Sequence, residues 1–104
     1  MKDAISPADL DKLLDQGANI KVLDVRRREH RSDVEHPIPG AEWKDPENIA
    51  EWGKDLEGHD EVIVYCVHGH NVSQGARDFL RERGLRSRIV EGGIEAWQAF
   101  SKRS

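Results

Sequence analysis

Residues 62–76 read Val62-Ile63-Val64-Tyr65-Cys66-Val67-His68-Gly69-His70-Asn71-Val72-Ser73-Gln74-Gly75-Ala76, and this stretch decides the fold. Four β-branched or aromatic residues in a row, Val62 to Tyr65, are expected for a strand buried on both faces of a parallel sheet. The apolar run stops at Cys66. A short polar loop follows, and then Ala76, Phe79 and Leu80 recur at helical spacing. A cysteine therefore ends a strand, and a loop carries the chain into a helix. In that geometry the free N–H groups of the loop and of the first helical turn point toward whatever lies at the strand's carboxyl end, where they stabilise an anion. A thiolate is such an anion, so Cys66 reads as a nucleophile. The competing reading is a small buried hydrophobe at a strand end.

Working outward, the same alternation recurs. Ser6-Pro7-Ala8-Asp9 opens a helix, with Ser6 as N-cap and Pro7 at the first helical position. Leu10, Leu13 and Leu14 form its apolar stripe, and Gly17 ends it. Ile20 to Val25 is the next strand, with Asp24 near its carboxyl end, the end at which ligands bind in open parallel sheets. From Arg26 to Asp45 no period is visible. Asp45-Pro46-Glu47-Asn48 starts a short helix through Ile49, Ala50 and Trp52, and Gly58 closes it. Beyond the central helix, Gly84 is a C-terminal cap and Arg88 to Val90 a further strand. Gly92-Gly93 turns the chain into a last helix with Ile94, Trp97 and Phe100 on one face. Helices alternating with strands predict an α/β domain with a mostly parallel sheet.

Composition bounds the function. The 104 residues suit one domain, 1–104. Charged residues make up 35% and the start lacks an apolar leader, so no membrane role is expected and the cytoplasm is the default location. A net charge of −4 argues against a nucleic-acid partner. Arg81, Arg83, Arg86 and Arg88 read as a solvated helix end rather than a basic strip. With one cysteine there is no internal disulfide or resolving thiol, so anything Cys66 gains passes to another molecule. Cys66, His68 and His70 alternate and are all metal-ligand types, but no fourth ligand is evident and bound metal would quench the nucleophile. No metal and no cofactor is expected. Trp97 and Phe100 read as core anchors, with Trp43 and Trp52 covering the sheet.

Four stretches, Leu23-Asp24-Val25-Arg26, Ile38-Pro39-Gly40-Ala41, Val64-Tyr65-Cys66 with its loop, and Glu91-Gly92-Gly93-Ile94-Glu95-Ala96-Trp97, together resemble the single-domain rhodanese-like sulfurtransferases. The resemblance covers nearly the whole chain. It implies a rhodanese-like three-layer sandwich, a central mostly parallel five-stranded sheet with helices on both faces. It also implies a chemistry: sulfane sulfur moves from a donor such as thiosulfate to a thiophilic acceptor, cyanide or a thiol, through a Cys66 persulfide. Carried over by position, Cys66 is the nucleophile, and Val67, His68, Gly69, His70, Asn71 and Val72 cradle the substrate. Asp24 and Arg26 match positions assigned to holding the fold near the site. A protein sulfur acceptor is a further candidate partner.

Two departures stand out. Many members of the family carry a cation in the loop where this chain has Asn71 and Val72, and the loop is one residue longer, with Ser73 displaced by one from the family's serine. A longer loop is a feature of the phosphatases of this fold, but those need an arginine six positions after the cysteine, and position 72 is valine. The alternative reading is a sulfur relay or a regulatory binding module on the same fold, and a phosphatase or arsenate reductase-like enzyme ranks below it.

Overall fold

A computed structural model describes residues 4–26, 38, 40–56, 58–66 and 71–101, with Asn71 described in its backbone only. Its centre is the strand anticipated from Val62 to Tyr65. This strand, β4 (Glu61–Tyr65), is buried at every residue. It is flanked by β2 (Ile20–Asp24) and β5 (Ser87–Val90), and two short edge strands, β1 (Ala4–Ile5) and β3 (Glu42–Trp43), complete the order β1-β5-β4-β2-β3. All four pairings are parallel, so among the described residues the sheet is wholly rather than mostly parallel.

Because successive side chains of a strand point to opposite faces, β4 feeds two cores. Val62, Val64 and Cys66 join Leu23, Val25, Trp52, Leu56, Ala76 and Leu80 on one face. Ile63 and Tyr65 join Leu10, Val22, Ile38, Val90, Ile94 and Trp97 on the other. The first face is covered by α2 (Ile49–Trp52), its 3₁₀ continuation Gly53–Leu56, and α3 (Asn71–Glu82). The second is covered by α1 (Pro7–Asp15) and α4 (Gly93–Ser101). The result is the three-layer sandwich that the sequence pattern and the resemblance both implied. Each fully buried aliphatic side chain contributes about 1.5–3 kcal/mol, so this double-sided burial is what makes β4 the spine.

The local signals act as expected. The Ser6 hydroxyl accepts from the Asp9 amide at 3.1 Å, and Pro7 opens α1. Asp45 caps a 3₁₀ turn, Pro46–Asn48, rather than a full helix, and α2 follows it directly. Strand β2 ends at Asp24, one residue before the expected limit, although the Val25 amide still donates to the Tyr65 carbonyl at 2.9 Å. Three of the four clustered arginines are individually engaged. Arg88 forks onto Glu61, Arg81 donates to the Ser87 carbonyl at 2.9 Å, and Arg83 lies 4.6 Å above the Phe79 ring. Trp97 and Phe100 pack with ring centroids 5.6 Å apart, as core anchors should.

The turn between β5 and α4 is the tightest constraint. Gly92 and Gly93 take φ of 72° and 64°, the left-handed region that favours glycine. A Cβ on Gly92 would also stand 2.7 Å from the Ala96 Cβ. Gly92→Ala combines both penalties and is expected to cost about 2 kcal/mol or more. A urea unfolding curve checks this, and a midpoint equal to that of the unaltered protein would refute it.

Candidate active site

Cys66 is the first residue past β4, and two helices from opposite faces of the sheet fix it there. Its carbonyl accepts from the Ile94 amide, in the first turn of α4, at 3.0 Å. Its thiol donates to the Ser73 hydroxyl, in the first turn of α3, at 3.2 Å. Cys66 is 6% exposed and packs in the α3-side core, while Ser73 is fully buried. The sulfur thus stands at a seam, with apolar neighbours such as Val64 and Ala76 below and the start of a helix beside it. The amides of that first turn, Asn71 to Ser73, have no carbonyl partner inside the helix, and the helix adds a partial positive charge at the same end.

Of the residues assigned to the cradle, Val67, His68, Gly69 and His70 lie outside the described residues, and so does the metal reading that turned on the two histidines. Asn71 is the first residue of α3. Val72 packs its side chain against the α3-side core, leaving its main chain as the part that can serve an anion.

Next to Cys66 the sheet edge is closed by a buried ion pair. Asp24, directly opposite Tyr65 in the β2–β4 register, is fully buried, and Arg26 is 6% exposed. Arg26 Nε lies 3.0 Å from both carboxylate oxygens, Nη2 is 2.6 Å from Oδ2, and the Arg26 amide donates to Oδ1 at 3.0 Å. The hydrogen bonds to Asp24 push the guanidinium further up from its ordinary value, against the opposing effect of burial. With its fork occupied, Arg26 acts on the fold rather than as a cation for a substrate. The Trp43 indole donates to the Arg26 carbonyl at 2.9 Å, and the Lys44 amide donates to the Asp24 carbonyl at 2.9 Å. Trp43, a residue of the edge strand β3, therefore holds the edge with its N–H.

Tyr65 faces the other core, fully buried, and among the described residues its hydroxyl has no hydrogen-bond partner of good geometry. Burial pushes the phenol strongly upward, the nearby Asp24 carboxylate adds to the shift, and Arg26 partly offsets it.

Sequence reasoning treated Ser73 as a landmark rather than as part of the site. The signal was present: Ala76 and Leu80 follow it at i+3 and i+7, so Ser73 belongs to the inward stripe of α3, immediately beneath the thiol.

These features define an α/β protein of the parallel-sheet class, with a buried free cysteine at the carboxyl edge of the central strand. The rhodanese-like domain family matches residues 6–100, and the chain belongs to that family. It is 34% identical over 96 residues to the thiosulfate sulfurtransferase GlpE of Pseudoalteromonas translucida, across 91% of this chain and 88% of that one. The thiosulfate sulfurtransferase GlpE of Pseudomonas fluorescens is 34% identical over 95 residues, 90% of this chain and 83% of that protein. Among solved structures, a rhodanese-related protein from Thermoplasma volcanium superposes with a TM-score of 0.74 at 31% identity, covering 95% of this chain and 93% of that one. The relatives support placement among the sulfurtransferases. Among the described residues, no helix is long and apolar enough to cross a membrane.

Two outcomes follow from the edge. Asp24→Ala strands a buried guanidinium and Arg26→Ala a buried carboxylate, so each is expected to cost about 3–5 kcal/mol. Calorimetry on both single variants and the double variant checks this: the double should be less destabilised than the sum, and strict additivity would show that the two groups act independently. For Tyr65, an unfolded tyrosine ionises near pH ~10 while the buried phenol stays protonated. The folded state then holds more protons, so its stability falls as pH rises above that point, and below it the contribution is constant. Denaturant titrations should show this alkaline decline flattened in Tyr65→Phe; an unchanged slope refutes the assignment.

Proposed function

We infer that this chain is a thiosulfate sulfurtransferase working through a persulfide on Cys66, as one domain spanning residues 1–104. The observation that carries this is the Cys66 sulfur, held at the carboxyl edge of β4 against the Ser73 hydroxyl in the first turn of α3. The names of its relatives support the same reading.

The proposed cycle has two displacements. The Cys66 thiolate attacks the outer sulfur of thiosulfate, a Sγ–S bond forms, the donor's S–S bond breaks, and its electron pair leaves on sulfite. An acceptor then attacks the outer sulfur, the Sγ–S bond breaks, and its electron pair returns to Sγ. Cyanide leaves as thiocyanate, and a thiolate leaves as a persulfide. Both steps balance without a metal or a redox cofactor. Backbone amides from Val67 to Val72 are proposed to hold the terminal persulfide charge, the task for which preorganised N–H groups are suited.

Enclosure of the thiol favours a donor that presents a single terminal sulfur end-on. Absence of a second cysteine makes the acceptor an external molecule, either a small thiophile or a protein thiol. A reducing compartment such as the cytoplasm would keep the lone thiol available. Phosphatase chemistry lacks support, because Val72 stands where a phosphate-gripping arginine would be required.

Mass spectrometry after thiosulfate treatment tests the reading. One added sulfur atom should map to Cys66, and Cys66→Ser should abolish transfer to cyanide while shifting stability by less than about 1.5 kcal/mol, as near-isosteric changes do. Hydrolysis of aryl phosphates together with no sulfur uptake would overturn it.

A further inference from the structure

We propose that Ser73 governs the discharge half of the cycle, by donating a hydrogen bond to the Cys66 sulfur as it leaves the persulfide. The inference rests on the persulfide reading above and assigns a role to a residue that lies outside the proposed cradle.

Ser73 is fully buried, and its oxygen lies 3.2 Å from Sγ. Ser73 makes a side-chain hydrogen bond to that sulfur, and Cys66 belongs to the buried apolar cluster on the α3 side of the sheet together with Val64 and Ala76. The charged pair on the neighbouring strand, Asp24 and Arg26, is closed on itself. In the resting thiol the S–H donates to Ser73. Once Sγ has lost its proton, only the hydroxyl can donate, and a hydroxyl hydrogen rotates to do so.

The bond acts differently on the two half-reactions. During loading, the thiolate gives up negative charge as it attacks the donor sulfur, so the hydrogen bond is strongest before the step and does not accelerate it. During discharge, the acceptor's electron pair forms the new bond to the outer sulfur while the Sγ–S pair returns to Sγ. Charge develops on the atom Ser73 touches, and a leaving thiolate that is better stabilised leaves faster. Ser73 therefore speeds release without speeding uptake. A residue that only supported the loop would affect both.

The experiment uses single-turnover kinetics of Ser73→Ala and Ser73→Thr in one alkaline buffer. Ser73→Ala is expected to discharge its persulfide to cyanide about tenfold more slowly, the lower end for a hydrogen bond to a charged group. Loading from thiosulfate is expected to be unchanged or faster, and Ser73→Thr, which keeps the hydroxyl, should recover discharge. Reaction of Cys66 with an aromatic disulfide should run about threefold faster in Ser73→Ala, since a thiolate freed of its donor is the stronger nucleophile. Equal slowing of loading and discharge, or no slowing of discharge, overturns the proposal. If the unaltered protein forms no persulfide, the sulfurtransferase reading fails, and the disulfide arm alone then decides whether Ser73 donates to Sγ: a rate unchanged by Ser73→Ala refutes it.

Discussion

The hydrogen bond from the Ile94 amide to the Cys66 carbonyl is the contact on which the geometry of the site depends. It contributes no more than about 1 kcal/mol net, so its importance is positional. It ties the residue after the central strand to the first turn of α4, a helix on the opposite side of the sheet from α3. Cys66 is thereby held from two sides, through its backbone by α4 and through its sulfur by α3. The Gly92-Gly93 turn exists to permit this. Its two left-handed residues bring α4 back against the carboxyl edge, and the missing Cβ of Gly92 lets Ala96 close over the turn.

The Asp24–Arg26 pair works at the same edge by a different means. Desolvating two charges costs several kcal/mol per ion, and a good fork geometry roughly restores it, so such a pair adds little stability of its own. What it adds is a demand for one arrangement, because either charge left alone in that environment is severely unfavourable. Trp43 extends this demand to the outermost strand by holding the Arg26 carbonyl, while the main chain of Lys44 holds that of Asp24. The edge beside the thiol is accordingly built from directional contacts, whereas the body of the sheet is built from non-directional burial.

That division explains what could be read from the sequence. Long elements with a strong period, such as the Val62–Tyr65 strand, the Leu10-Leu13-Leu14 stripe and the Ile94-Trp97-Phe100 face, are fixed by burial, and burial leaves a pattern. The edge strands Ala4–Ile5 and Glu42–Trp43 are two residues each, too short for any period, and form because a neighbouring strand offers them a ladder. The Asp24–Arg26 fork likewise has no periodic signature, and only the family resemblance pointed to those positions. Glycines before the last helix were legible as a turn, but the close approach of Ala96 that adds to the constraint on Gly92 was not. Of the cradle assigned between Val67 and Val72, the described residues include only its last two positions.

The missing loop cation and the enclosed thiol bear on each other. A thiol standing open at a sheet edge would need a nearby arginine or lysine to gather an anionic donor and to hold its charge. Here Arg26 is committed to Asp24 and Arg77 is engaged with Asp78, so neither offers an uncommitted fork to the site. Among the described residues that leaves the helix terminus and, under the proposed mechanism, main-chain amides as the sources of positive character at Cys66, while His68 and His70 lie outside the described residues. Fixed dipoles of that kind act strongly only at short range and away from water. An enclosed sulfur is the setting in which they suffice, and the 6% exposure of Cys66 follows as a requirement of the design rather than an obstacle to it.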